Sequence, residues 1–267
     1  MSLWWLGYPL LGAFAGFVAG LFGVGGGLTI VPLLLMLFQA QDFPVQHAMH
    51  LALGTSMATI VLTSMSSMRA HHSHGAVRWD IVKVFAPGLM AGTFGGTFIA
   101  AAIPTRPLAM VFTAIVIYAS ATMLLDRKPK PARQLPGTTG MLAVGTGIGV
   151  VSSLVAAGGG FLSIPFMVFC NVVIHQAVGT SAALGFPIAV AGAIGYVLSG
   201  WNASGLPAYS YGYIYIPALV GVVVVSMLVA PLGARFAHSL PVKPLKRAFG
   251  VFLALLALQM AWRLLRG

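Results

Sequence analysis

From Leu3 to Phe38 the chain carries no charged side chain. As one helix this run would extend about 54 Å, too long for a hydrocarbon core of about 30 Å. It is also too short for two full crossings. Val24-Gly25-Gly26-Gly27 interrupts it, and glycine is a poor residue for a helix interior. The run therefore predicts a helical hairpin of two short arms with a glycine turn at membrane depth, its two ends on one side. Val82–Ile103, Leu108–Leu125 and Met141–Phe169 are further long apolar runs. None alternates apolar with polar residues, as barrel strands would. Backbone in lipid must satisfy its own hydrogen bonds, so the runs read as helices. Only 6% of the residues are charged and 59% are hydrophobic, against about 25% charged in a soluble domain. So few charges cannot cover a water-exposed surface. The fold class is thus an all-α integral membrane protein.

The chain repeats itself. Gly25-Gly26-Gly27, Pro32 and His50-Leu51-Ala52-Leu53-Gly54-Thr55-Ser56 in the first half return in the second. There they are Gly158-Gly159-Gly160, Pro165 and His175-Gln176-Ala177-Val178-Gly179-Thr180-Ser181, with the same spacing from third glycine to proline. Pro104-Thr105-Arg106-Pro107-Leu108 is matched by Pro241-Val242-Lys243-Pro244-Leu245. An ordered triple match indicates duplication: repeat 1 over residues 1–125, a basic cytoplasmic linker over 126–137 and repeat 2 over 138–267, in one structural unit.

An odd number of crossing elements per repeat inverts the second copy; an even number leaves it parallel. Counting the hairpin as two, each repeat has about five helical elements and the copies are inverted. The alternative is eight membrane helices arranged four plus four. Basic residues favour the cytoplasmic side of membrane proteins. With both termini outside, Arg69, Arg78, Lys83, Arg127, Lys128, Lys130, Arg133, Arg235, Lys243, Lys246 and Arg247 lie inside. Only Arg106, Arg263 and Arg266 of the 14 lie outside. The parallel scheme sends Arg106, Arg235, Lys243, Lys246 and Arg247 outside, a poorer split. The loop from Trp201 to Tyr213 has no Lys or Arg, while its counterpart around Arg69–Lys83 is basic. The net charge of +11 is thus topological, with no nucleic-acid stripe. Met1-Ser2-Leu3-Trp4-Trp5 lacks the basic region of a signal peptide and is expected to begin the mature protein.

Three repeated groups are candidates for chemistry. The triplets Gly25, Gly26, Gly27 and Gly158, Gly159, Gly160 each open a short helix. Such an end exposes unsatisfied N–H groups and the positive end of the helix dipole, both of which attract anions. The alternative is close helix packing, as for Gly12-x-x-x-Gly16 and Gly88-x-x-x-Gly92. Thr55, Ser56, Thr180 and Ser181 place hydroxyls inside apolar runs, to bind an oxyanion or to bond a helix carbonyl. His50 and His175 suit a substrate contact or proton relay, or an interfacial site. His71-His72-Ser73-His74 could bind metal but reads better as a basic loop, and Cys170 as a small apolar residue. The only acids, Asp42, Asp80 and Asp126, fall in loops or at helix ends. This disfavours an acidic cation pore and a carboxylate proton relay. No nucleotide loop, metalloprotease or serine-nucleophile motif occurs. Neither enzymatic activity, cofactor nor metal is expected.

Gly20-Leu21-Phe22-Gly23-Val24-Gly25-Gly26-Gly27, with Pro32 and Gly54-Thr55-Ser56, resembles the sulfite exporter TauE/SafE family, also called the toluene-sulfonate uptake permease family. Gly158-Gly159-Gly160-Phe161-Leu162-Ser163-Ile164-Pro165 resembles that family's second repeat. The resemblance runs from about Gly12 to Gln259. Ala156-Ala157 replace Gly23-Val24 before the second triplet, which predicts unequal hairpins. The resemblance implies transport of sulfite, sulfonates and related organic anions across the bacterial inner membrane.

The expected function is a transporter of sulfite or a small organic anion, exporting by alternating access between the halves. Its partners are that anion and the lipid bilayer. The rivals are a passive anion or small-solute channel and a non-transport membrane partner protein. The glycine motifs could equally serve contacts between chains, so the oligomeric state stays open.

Overall fold

The computed structural model describes residues 6–22, 26–125, 133–158, 160–239 and 242–266. The glycine of each triplet that completes the predicted site, Gly25 and Gly159, lies outside the described residues, as do most of the basic linker and both extreme termini.

Ten helices are present among the described residues: α1 (Gly7–Phe22), α2 (Gly27–Ala40), α3 (Val45–Ser73), α4 (Trp79–Ala102), α5 (Thr105–Leu124), α6 (Thr138–Val155), α7 (Gly160–Phe169), α8 (Ile174–Ser199), α9 (Ile216–Ser239) and α10 (Val242–Arg266). Five precede the linker and five follow it. The strands β1 (Ser210–Tyr211) and β2 (Ile214–Tyr215) form a small antiparallel hairpin before α9. By length and composition α3, α4, α5, α6, α8 and residues 247–265 of α10 can each cross a bilayer. The protein is an all-α, multi-pass membrane protein.

The glycine runs do end helices. Gly26 adopts φ 67, a left-handed conformation that glycine reaches without steric cost. Its carbonyl then accepts the N–H groups of Thr29 and Ile30, at 3.0 and 2.9 Å. In the second hairpin the left-handed residue is at the end of α6 instead: Ala156, with φ 47, and Ala157 N–H closes onto the Ser152 carbonyl at 3.1 Å. The short arms α2 and α7 have 14 and 10 residues, about 21 and 15 Å. Each contains a proline, Pro32 and Pro165, at the matching place.

Packing pairs elements across the halves. α1 lies along α9, α6 along α4, α3 crosses α8, and α5 lies against α10. Glycines make these approaches close. A Cβ on Gly12 would meet Val222 and one on Gly16 would meet Ser226, so α1 and α9 run parallel. Gly88 and Gly92 meet Leu142 and Thr146 in the same sense, so α4 and α6 run parallel. The glycine stripes are therefore seams within the chain. Gly192 meets Met57 while Gly185 approaches Ser64, so α3 and α8 run antiparallel. Ser120 Oγ donates to the Gly250 carbonyl and Arg106 to that of Leu264, so α5 and α10 also run antiparallel.

Within their apolar stretches, 78% of α3 and 61% of α8 is buried, against 33–44% for the other spanning helices. These two are the central helices. The outer helices expose leucines such as Leu228, Leu258 and Leu265, as a lipid-facing surface requires. Tyr8 OH donates to Gln41 Oε1 at 2.9 Å, which brings the start of α1 beside the end of α2. Arg263 donates to Gln39 at 2.6 Å and joins α10 to the same end.

Candidate functional site

The two hairpin tips meet beside the central helices. A Cβ on Gly27 would collide with the Ala156 carbonyl oxygen and stand 3.0 Å from Ile60 Cδ1. A Cβ on Gly185 would stand 2.8 Å from the Gly158 carbonyl oxygen. Ile60 and Gly185 lie near the middle of α3 and α8, so both tips lie beside the middles of the two central helices. Gly26 O is taken by Thr29 and Ile30, and by the Thr29 hydroxyl at 2.6 Å. The N–H groups of Gly27 and Leu28 precede the first intrahelical bond and have no acceptor within α2.

The Gly-Thr-Ser segments divide their labour residue by residue. A Cβ on Gly54 would strike the Tyr213 carbonyl, and one on Gly179 would lie 2.6 Å from that of Ala76. Both glycines thus seat a loop of the opposite half. Thr55 Oγ1 accepts the N–H of Tyr215, and Thr180 Oγ1 that of Arg78, each at 3.0 Å. The threonines therefore brace the starts of α9 and α4. Thr55→Val is expected to lower stability by about 1–3 kcal/mol, because a buried N–H loses its acceptor. Thr180→Val should cost less, since its bond is only part-buried. Chemical denaturation of the purified variants measures both.

The serines are different. Ser56 and Ser181 are 0% and 1% exposed, and neither Oγ has a hydrogen-bond partner among the described residues. A buried hydroxyl left unpaired costs free energy, so unpaired hydroxyls at repeated positions need a reason. Residues four apart share a helix face. Ser56 is thus one turn from Ile60, which touches tip Gly27, and Ser181 one turn from Gly185, which touches tip Gly158.

The histidines are not equivalent. His50 is buried among backbone carbonyls. Its Nε2 lies 3.2 and 3.1 Å from Ala100 O and Ile103 O, and its ring stacks on Tyr213 at 4.9 Å. It closes the α4–α5 corner, near the start of α3 and away from the tips. His175 is exposed at the start of α8. The segment predicted as a basic loop is helical through Ser73: His72 lies in the last turn of α3, where Trp79 of α4 donates to it at 3.2 Å, and Arg78 pairs with Asp80 at 2.5 Å. Among the described residues no group of three His, Cys, Asp or Glu converges. Cys170 lies past the far end of α7 from the tip.

Ser163 lies outside the repeated motifs. It is 0% exposed, and its Oγ has no partner. Its counterpart in the first half is Ile30, so repetition could not reveal it. The available signal was a hydroxyl in the apolar run directly after the second glycine triplet.

Residues 8–260 match the profile of a family described as Sulfite exporter TauE/SafE. The chain is 39% identical to a "Probable membrane transporter protein" of Haemophilus influenzae, over 94% of this chain and 96% of that protein. It is 29% identical to the "Probable membrane transporter protein YdhB" of Bacillus subtilis, over 87% and 90% of the two chains. A "Probable membrane transporter protein" of Xylella fastidiosa is 26% identical, over 94% and 93%. No solved structure gives a significant match.

Proposed function

The chain belongs to the sulfite exporter TauE/SafE family and is a membrane transporter, and on that footing we propose that it exports sulfite or a small organosulfonate or organic anion. The observation that carries this reading is the pair of buried, unpartnered hydroxyls, Ser56 and Ser181, each one turn from a glycine tip. A hydroxyl and a helix N-terminus both donate hydrogen bonds, and together they suit an oxyanion stripped of water. No described carboxylate lies at that depth to repel it; Asp42 and Asp80 stand at helix ends. Gly25 and Gly159 belong to the proposed site by their place in the glycine triplets of the sequence. His50 and His175 stay outside this core of the site.

The halves act as inverted repeats with both termini periplasmic, in a bacterial inner membrane. The antiparallel course of α3 against α8 and of α5 against α10 supports inversion. Alternating access then follows from rocking one half against the other around a fixed midplane site. A cytoplasm-negative potential favours outward movement of an anion by about 2.3 kcal/mol per charge per 100 mV. Export therefore needs no coupling ion, and no buried carboxylate among the described residues offers to bind one.

Two measurements test the proposal. Purified protein in liposomes is expected to give saturable, counterflow-competent flux of sulfite or of a small sulfonate. Unsaturated flux would point to a pore, and no flux at all to a non-transport role. In a Cys170→Ser background, Ser204→Cys is expected to react with an impermeant thiol reagent from the periplasmic side. Ser204 is exposed, and its carbonyl is 3.1 Å from His47 Nε2. Labelling from the cytoplasm alone would reject the inverted arrangement.

A further inference from the structure

The two half-sites are built alike but not equally furnished. In α7 the buried residues are Gly160, Ser163 and Met167, a single stripe at helical spacing. Met167 belongs to the same apolar cluster as Ala177, Ala183 and Leu184 of α8, so this stripe faces α8. Ser163 therefore lies in the first turn of α7, on the face turned to α8, with a buried Oγ that no group among the described residues engages. Ser181 sits on α8 one turn from the point where Gly158 touches Gly185. The second hairpin thus combines two unpartnered hydroxyls with the N-terminus of a 10-residue helix.

The first hairpin has less to offer. Ile30, the counterpart of Ser163, is an apolar residue at 2% exposure. The hydroxyl beside it, Thr29, is engaged by Gly26 O. Among the described residues Ser56 is left as the single unpartnered hydroxyl next to that tip.

We propose that Ser163 is a substrate-binding residue that makes the second hairpin the principal anion seat. Ser163 and Ser181 donate to oxygens of one oxyanion group at the N-terminus of α7, and the Ile30 side of the first hairpin faces the rest of the solute. This rests on the anion-transport reading above. Two serine hydroxyls and free helix N–H groups recognise a sulfite, sulfonate or carboxylate group through its oxygens. A neutral solute would leave the same donors unpaired.

The test uses full-length protein in liposomes, with sulfite and methanesulfonate as probes, and thermal unfolding of each purified protein with and without sulfite. Ser163→Ala is expected to raise KM by about tenfold or more, the loss of a hydrogen bond to a charged group. Its Vmax should stay within about twofold. Its unfolding temperature without ligand should be unchanged or higher, and the sulfite-induced rise should disappear. Ser163→Thr, which keeps the hydroxyl, should restore most of the affinity. A Ser163→Ala protein with unchanged KM, or one that unfolds at lower temperature, overturns the assignment. Absence of saturable flux by the wild type would remove the transport reading instead. The sulfite-induced rise in unfolding temperature, present in wild type and lost in Ser163→Ala, would then decide the seat by itself.

Discussion

Gly27→Ala is expected to abolish transport, while Gly95→Ala leaves it intact. Both changes add one methyl group to a glycine that begins or lies within a helix. At Gly27 the new Cβ would collide with the Ala156 carbonyl oxygen and press on Ile60. A carbonyl fixed in the opposite hairpin cannot rotate away, so the tips must separate. Forcing a methyl into a packed core costs about 1–3 kcal/mol, and here the strain falls on the proposed anion site itself. At Gly95, on the exposed face of α4, no heavy atom lies within 4 Å of the new Cβ. Alanine there should stabilise the helix by about 0.5–1 kcal/mol. Flux in proteoliposomes and unfolding temperatures in detergent give both comparisons. Normal flux from Gly27→Ala would mean that the meeting of the tips does not matter to transport.

Ser56→Ala and Ser181→Ala should each make a more stable protein and a poorer transporter. Removing a buried hydroxyl that has no partner relieves a penalty of about 1–3 kcal/mol, whereas removing one that serves a bond destabilises. The neighbouring threonines provide that contrast on the same helical turn, since Thr55 and Thr180 hold the backbone of Tyr215 and Arg78. If the serines bind the anion, KM should rise by about tenfold or more in each variant. The pattern expected is therefore opposite in sign at adjacent positions: affinity falls and stability rises at the serines, and stability falls at the threonines. Equal loss of stability from Ser181→Ala and Thr180→Val would assign both hydroxyls to structure and leave the anion without its central donors.

The helices and their breaks were legible because local rules govern them. A charge-free run too long for one crossing, cut by three glycines, had few ways to fold in lipid, and it folds as α1 and α2. The matching second run folds as α6 and α7. Ala156 ends α6 in the left-handed conformation that glycine more readily adopts, a turn the glycine triplets by themselves do not point to. The short arms start at the matching glycines Gly27 and Gly160 and differ at their far ends, α2 with 14 residues and α7 with 10, away from Ala156-Ala157. Repetition was a weaker guide to the site. It paired His50 with His175, one buried against carbonyls and the other exposed, and it passed over Ser163, which has no twin.

The sequence by itself determined that this chain is a membrane-embedded bundle of two like sets of helices, broken twice by glycine. Period, length and charge are local properties, and the bilayer leaves each segment few alternatives. Only the tertiary structure decided which hydroxyls are free. Tyr215 reaches Thr55, and Arg78 reaches Thr180, from the far half of the chain. No local pattern encodes a partner so distant in sequence. Threonine and serine look alike in the motif, and folding spends one of them and leaves the other unpaired.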